Sequence, residues 1–171
     1  MRLHKCVFLD RDGVLNRERG EYTYKIADFE ILDGVKESLE ILKKSGYLLI
    51  VITNQAGIAK GLYQHTNVLD CHSYLQSQIS DLIDDIYLCP HHPSTTQSLL
   101  RKPDSLMIEK AIAKWKIDAS KSFMIGDSLR DIQAAEKVGV KGILVGDKEG
   151  GKATATRADN LLEAVNTFIL D

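Results

Sequence analysis

An apolar run, Cys6-Val7-Phe8-Leu9, stops at Asp10-Arg11-Asp12-Gly13, so two carboxylates one residue apart stand where the chain must turn. Side chains i and i+2 of an extended segment share a face, which points Asp10 and Asp12 the same way. Gly13 then permits a sharp turn. Two acids held that close repel unless a cation lies between them. Mg²⁺ suits the place, because it is a hard ion that takes oxygen ligands, keeps several waters and is commonly shared between carboxylates and a substrate phosphate. The alternative reading of these residues alone is a strand end with solvated aspartates.

Three further groups of residues carry matching chemistry: Thr53-Asn54, Arg101-Lys102 and Gly126-Asp127-Ser128-Leu129-Arg130-Asp131. A hydroxyl and an amide can bind phosphate oxygens, a lysine neutralises them as a point charge, and further carboxylates complete a metal site. With Asp10 and Asp12 this is a set suited to phosphoryl transfer. Asn54 and Arg101 are expected to face substrate, and Arg11 to pair with a nearby acid. Asp131 reads equally as an acid that orients Lys102 or a water and as a first-turn acid favoured by the helix dipole. Cys6 is expected in the core, and Cys71 and His72 are expected to be structural or exposed.

These groups need elements to bring them together. The polar stretch 17–30, with Tyr22 and Tyr24, reads as an ordered loop over the first strand's end, where loops often touch substrate. Val35, Leu39 and Leu42 recur at helical spacing, with Asp33 the expected N-cap and Gly46 the terminator. Residues 47–53 are expected as a strand whose Leu48-Leu49-Ile50-Val51-Ile52 is a continuous apolar run, as in a parallel strand covered on both faces. A glycine-bearing turn over 54–61 leads to a helix expected over 67–83. Strands are then expected at 85–89, 122–125 and 142–145, and helices at 104–115, 130–138 and 160–170, the last after a glycine- and alanine-rich connector. This alternation implies right-handed crossovers and a mainly parallel sheet with helices on both faces, a Rossmann-like α/β three-layer sandwich. In such sheets ligands bind beyond the carboxyl ends of the strands, where all four polar groups would gather.

With 171 residues the chain reads as one domain spanning 1–171, and 17–52 and 54–101 are too short to hold a separate cap domain as well as the core elements. A net charge of -2 gives no reason to expect a nucleic-acid partner. Without a signal-peptide core or a long apolar run, the protein is expected to be cytoplasmic with no membrane partner. Three cysteines at irregular spacing, Cys6, Cys71 and Cys89, fit reduced thiols better than a disulfide framework. A monomer or small homo-oligomer is expected.

Asp10-x-Asp12-Gly13, Thr53-Asn54, Lys102-Pro103 and Gly126-Asp127-x-x-x-Asp131 resemble the four ordered motifs of the haloacid dehalogenase (HAD) superfamily of phosphatases. Leu9-Asp10-Arg11-Asp12-Gly13, the run from Thr53 to Gly61, Cys89-Pro90-His91-His92-Pro93 and Arg101-Lys102-Pro103 are similar to the heptose bisphosphate phosphatases and the related histidinol phosphatases. The resemblance implies a Mg²⁺-dependent phosphatase of a small phosphorylated metabolite, working through an aspartyl phosphate. Asp10 would be nucleophile and metal ligand. Asp12 would be general acid and base, with its backbone carbonyl on the metal, and Asp127 a further metal ligand. Thr53 and Lys102 would hold the transferring phosphoryl group. The expected substrate is D-glycero-D-manno-heptose 1,7-bisphosphate, hydrolysed at position 7. Histidinol phosphate is the alternative within the enzymes, and a catalytically silent phosphosugar-binding protein the alternative of another class. The heptose enzymes pair Cys-x-His with Cys-x-Cys to close a structural zinc site. Here the second pair is replaced by Ser98 and Leu100, leaving at most Cys89, His91 and His92, so structural zinc is expected to be absent.

Overall fold

Strand β1 (Cys6–Leu9) is buried along its whole length, and its alternate residues enter two different cores. A computed structural model describes residues 3–146 and 156–170 of the chain. In it β1 lies between β2 (Leu48–Asn54) and β4 (Phe123–Gly126), parallel to both. With β3 (Asp85–Cys89), β5 (Lys141–Val145) and β6 (Thr156–Ala158) they form a six-stranded sheet in the order β3-β2-β1-β4-β5-β6, every neighbouring pair parallel.

Val7, Leu9, Leu49 and Val51 point to one face, against α1 (Val35–Lys44), α2 (His65–Gln78) and α5 (Leu161–Phe168). Cys6, Phe8, Ile50 and Ile52 point to the other, against α3 (Leu106–Trp115) and α4 (Leu129–Glu136). Both faces of the central strands are thus covered, which is why their sequences are apolar without alternation. The three-layer α/β sandwich expected from the sequence is the one observed. From β1 the chain moves outward to β2 and β3, then returns across the sheet to β4 on the opposite side of β1. The connections leaving β1 and β4 therefore diverge, and the crevice between them is where parallel sheets hold ligands.

Local differences have local causes. The N-cap of α1 is Gly34 (φ 76°), whose carbonyl accepts from Ser38 N, and Asp33 lies one residue outside. At the other end Gly46 N donates to Lys43 O and Tyr47 N to Leu42 O, a Schellman closure that uses the positive φ of Gly46, as expected. Helix α2 begins two residues earlier than its apolar pattern suggests, because Gln64 and Asn67 form a reciprocal capping box. It ends well before residue 83, where Ser80 and Asp81 take positive φ, while Ile83 is buried from a loop. Strand β6 falls in the stretch read as a connector. It is a three-residue edge strand with two exposed positions, too short for an alternating pattern. Residues 147–155 of that connector lie outside the described residues. Among the described residues no helix is long and apolar enough to cross a membrane.

Candidate active site

Asp10 is the first residue beyond β1, and its backbone N donates to Ile125 O at 2.9 Å, keeping it against β4. Above it stands Lys102, 2% exposed, its Nζ donating to Asp10 Oδ1 at 2.8 Å and Ile52 O at 2.6 Å and pairing with Asp131 Oδ1 at 2.6 Å. An ammonium has three N–H groups, and three oxygens surround this one. Burial opposes its charge, but Asp10 and then Asp131 raise its pKa above the ordinary lysine value. Asn54 fixes the lysine's main chain, donating from Nδ2 to Lys102 O and accepting from Lys102 N, both at 3.1 Å. Expected to face substrate, Asn54 lines the cavity but uses both ends of its amide on this clamp.

Asp10, Asp127 and Asp131 each offer an oxygen within 4.8 Å of the others. Two glycines make room for this. A Cβ on Gly13 would lie 2.1 Å from Asp127 Oδ2, and one on Gly126 would lie 2.2 Å from Asp131 Cβ. Burial, and then the Asp131 carboxylate, push the pKa of Asp10 up to about 7, with Lys102 pulling it back. A buried donor set made only of carboxylate oxygens fits a hard divalent cation such as Mg²⁺. Asp131 Oδ1 pairs with Lys102, while Oδ2 accepts from Ser128 N in the capping box of α4.

The Asp12 side chain is held apart from that cluster by four donors. Oδ1 accepts from Arg11 Nη2 at 2.9 Å and Asn16 Nδ2 at 3.0 Å, and Oδ2 from Arg11 Nε at 3.2 Å and Gln55 Nε2 at 3.1 Å. Arg11 does pair with a nearby acid, as expected, and is itself fully buried. Asp10, Asp12, Lys102 and Asp127 open onto a cavity of about 430 Å³, a size suited to a small molecule. Tyr22 and Thr23 of the 17–30 loop form one wall, and Arg101 and Arg130 contribute positive charge. Thr53, expected to grip a phosphoryl group, is fully buried, its Oγ1 accepting from Gln55 Nε2 at 2.9 Å.

Asn16 and Gln55 had no assigned role in the sequence reading. Gln55 carried a legible signal, since it follows Thr53 at i+2, one residue past the end of β2; Asn16 carried none, because its approach to Asp12 depends on the turn at Gly13. Cys6, Cys71 and His72 are buried, as structural residues would be. His92 Nδ1 lies 2.7 Å from Ser94 Oγ, within the loop that follows Cys89.

Residues 10–145 match the family of haloacid dehalogenase-like hydrolases. The chain is 41% identical over 168 residues to the D-glycero-beta-D-manno-heptose-1,7-bisphosphate 7-phosphatase of Photorhabdus laumondii, covering 92% of this chain and 88% of that one. It is 36% identical over 177 residues to the enzyme of the same name from Escherichia coli K12, covering 97% and 90%. The crystal structure of the D,D-heptose 1,7-bisphosphate phosphatase of B. bronchiseptica, complexed with magnesium and phosphate, superposes with a TM-score of 0.87 at 26% identity, covering 95% of this chain and 96% of that one.

Proposed function

The chain belongs to the haloacid dehalogenase-like hydrolases, and from that premise we propose that it is a Mg²⁺-dependent phosphatase that removes the 7-phosphate of D-glycero-D-manno-heptose 1,7-bisphosphate. The observation that carries the reading is the buried Lys102 ammonium between Asp10 and Asp131, at the mouth of a crevice that also receives Asp12 and Asp127. A positive centre beside a carboxylate nucleophile is what a transferring phosphoryl group requires, since catalysis of that transfer is chiefly positioning and charge neutralisation.

Asp10 attacks phosphorus, the bond to the sugar oxygen breaks, and Asp12, protonated as this step begins, gives that oxygen its proton. A water then attacks the aspartyl phosphate while losing a proton to Asp12, which releases phosphate and restores Asp10. Lys102 and the Thr53 hydroxyl hold the phosphoryl oxygens, Asp131 keeps Lys102 in place, and Asn54 fixes the lysine's main chain. Arg101 lies on the cavity wall, where its guanidinium would fork onto the second phosphate of a bisphosphate. Mg²⁺ held by Asp10, Asp127 and the backbone carbonyl of Asp12 would neutralise charge on the transferring group.

Phosphate release from heptose 1,7-bisphosphate, histidinol phosphate and simple phosphomonoesters, each with Mg²⁺, tests the reading. The heptose bisphosphate should give the highest kcat/KM. Asp10→Asn should lower turnover by more than about three powers of ten with the fold kept, because it removes the attacking oxygen. Activity of Asp10→Asn within tenfold of the parent would refute the covalent route, and no release from any substrate would leave the silent binding protein as the better description.

A further inference from the structure

All four lone-pair positions of the Asp12 carboxylate are occupied, since a carboxylate offers about four and four donors reach it. An oxygen that passes a proton to a leaving group must have one position open. Oδ1 is tied to Arg11 and Asn16, both fully buried. On Oδ2, Arg11 Nε cannot leave without stripping a buried guanidinium of its counter-charge. The fourth donor, Gln55 Nε2, is different. It lines the cavity, and it already shares its N–H groups with Thr53 Oγ1, which at 2.9 Å is nearer than Asp12 Oδ2 at 3.1 Å.

The amide is anchored at its other end. Gln55 Oε1 accepts from the Tyr63 hydroxyl at 3.0 Å, and burial above all pushes the Tyr63 pKa up to about 12, so the phenol remains a donor at working pH. The anchor also orients the amide, with its oxygen toward the phenol and its nitrogen toward Asp12, which can only accept when ionised. The Tyr63 ring rests against Gly57, where a Cβ would lie 2.1 Å from Cε1. It stacks on Tyr24 at 4.7 Å between centroids and 11° between planes, and meets Tyr22 edge-on at 5.7 Å. Tyr22 is itself part of the cavity wall.

We propose that Gln55 is a positioning residue for Asp12: pivoting on the Tyr63 hydroxyl, it slides its Nε2 from Asp12 Oδ2 onto Thr53, so that Oδ2 can carry the proton it hands to the substrate's leaving oxygen. Tyr22 and Tyr24 hold Tyr63 in register, which couples the wall that receives the substrate to the group that protonates it. The inference rests on the assignment of Asp12 as general acid.

The test separates substrates by their need for a proton. The sugar alkoxide of heptose 1,7-bisphosphate must be protonated as it leaves, whereas the anion from p-nitrophenyl phosphate departs with little help, so the ratio of kcat/KM for the two reports delivery by Asp12. Tyr63→Phe keeps every ring contact and removes only the anchor. Gln55→Ala removes the amide. Both should lower the sugar-to-aryl ratio, by about tenfold for Gln55→Ala, a part of the 10²–10⁴ that a general acid supplies, and by a smaller factor for Tyr63→Phe. Thermal midpoints near the parent's establish that the fold is intact. Asp12→Asn, measured alongside, should lower the ratio furthest. A fall in Asp12→Asn with the parent's ratio in both other variants would overturn the positioning role alone. If Asp12→Asn lowers the two substrates equally, the acid assignment and this inference fail together.

Discussion

Arg11 has no exposed surface, and the Asp12 carboxylate is what makes such a cation tolerable. The guanidinium also donates to Thr23 O at 2.7 Å and lies 5.4 Å from the centre of the Phe29 ring, but Nη1 has no partner among the described residues. Asp12 therefore has a structural duty beside the catalytic one proposed for it. Removing one member of a buried ion pair costs about 3–5 kcal/mol, because the other charge stays behind. As the Asp12 side chain is 23% exposed, the loss in Asp12→Ala should fall at about the low end of that range. Urea denaturation in EDTA is the measurement, and adding Arg11→Met to Asp12→Ala should recover part of the loss by removing the stranded charge. A single variant as stable as the parent would show that water reaches Arg11 freely. Asp10→Asn should behave differently, since Lys102 keeps Asp131 and Ile52 O as acceptors.

Helix α2 buries Val68, Cys71, His72 and Leu75, the i, i+3, i+4, i+7 stripe of an amphipathic helix, so an imidazole sits among apolar side chains with its Nε2 unpartnered among the described residues. Burial, and then the charge of Arg11, lower its pKa from near 6.5 to about 4. Between those values the unfolded chain takes up a proton that the folded chain refuses, so stability must fall as pH drops from about 6.5 toward 4, at about 1.4 kcal/mol per pH unit. Over pH 4.5 to 8, urea midpoints should fall more steeply with acid for the parent than for His72→Gln below pH 7, the two slopes agreeing above it; parallel curves throughout would mean that the folded helix admits the proton. That stripe also shows what the sequence makes legible. Periodic and continuous apolar patterns located the five α-helices and the five longer strands among the described residues, because burial acts on every residue of such an element. Boundaries were less legible, since they are set by single residues: Gly34 rather than Asp33 at the start of α1, a Gln64–Asn67 box at the start of α2. The site divided the same way. Asp10, Lys102 and Asp127 stand at strand ends or in motifs and could be read in order. The grip of Asn16 and Gln55 on Asp12 comes from chain geometry that no local pattern encodes.

At the scale of the whole molecule, the charged cluster gathers Asp10 beyond β1, Lys102 from the connection between β3 and α3, Asp127 beyond β4 and Asp131 within α4. Three carboxylates pressed together around one ammonium leave a net negative centre in a largely buried place, which weakens the native state until a cation joins it. The folded sheet assembles this donor set and the unfolded chain does not, so the free energy of binding Mg²⁺ adds directly to the stability of the fold. At a concentration one hundred times its dissociation constant, a ligand that binds only the native state contributes about 2.7 kcal/mol. Thermal unfolding of the parent in EDTA and then in rising Mg²⁺ should therefore show a midpoint that climbs with the logarithm of concentration. Asp127→Asn should remove most of the climb, because a ligand has gone. The same variant should lose phosphatase activity over the same Mg²⁺ range, which would tie the stabilising ion to the catalytic one. A parent midpoint indifferent to Mg²⁺ at concentrations that saturate activity would break that link and place the catalytic ion mainly on the substrate's phosphate.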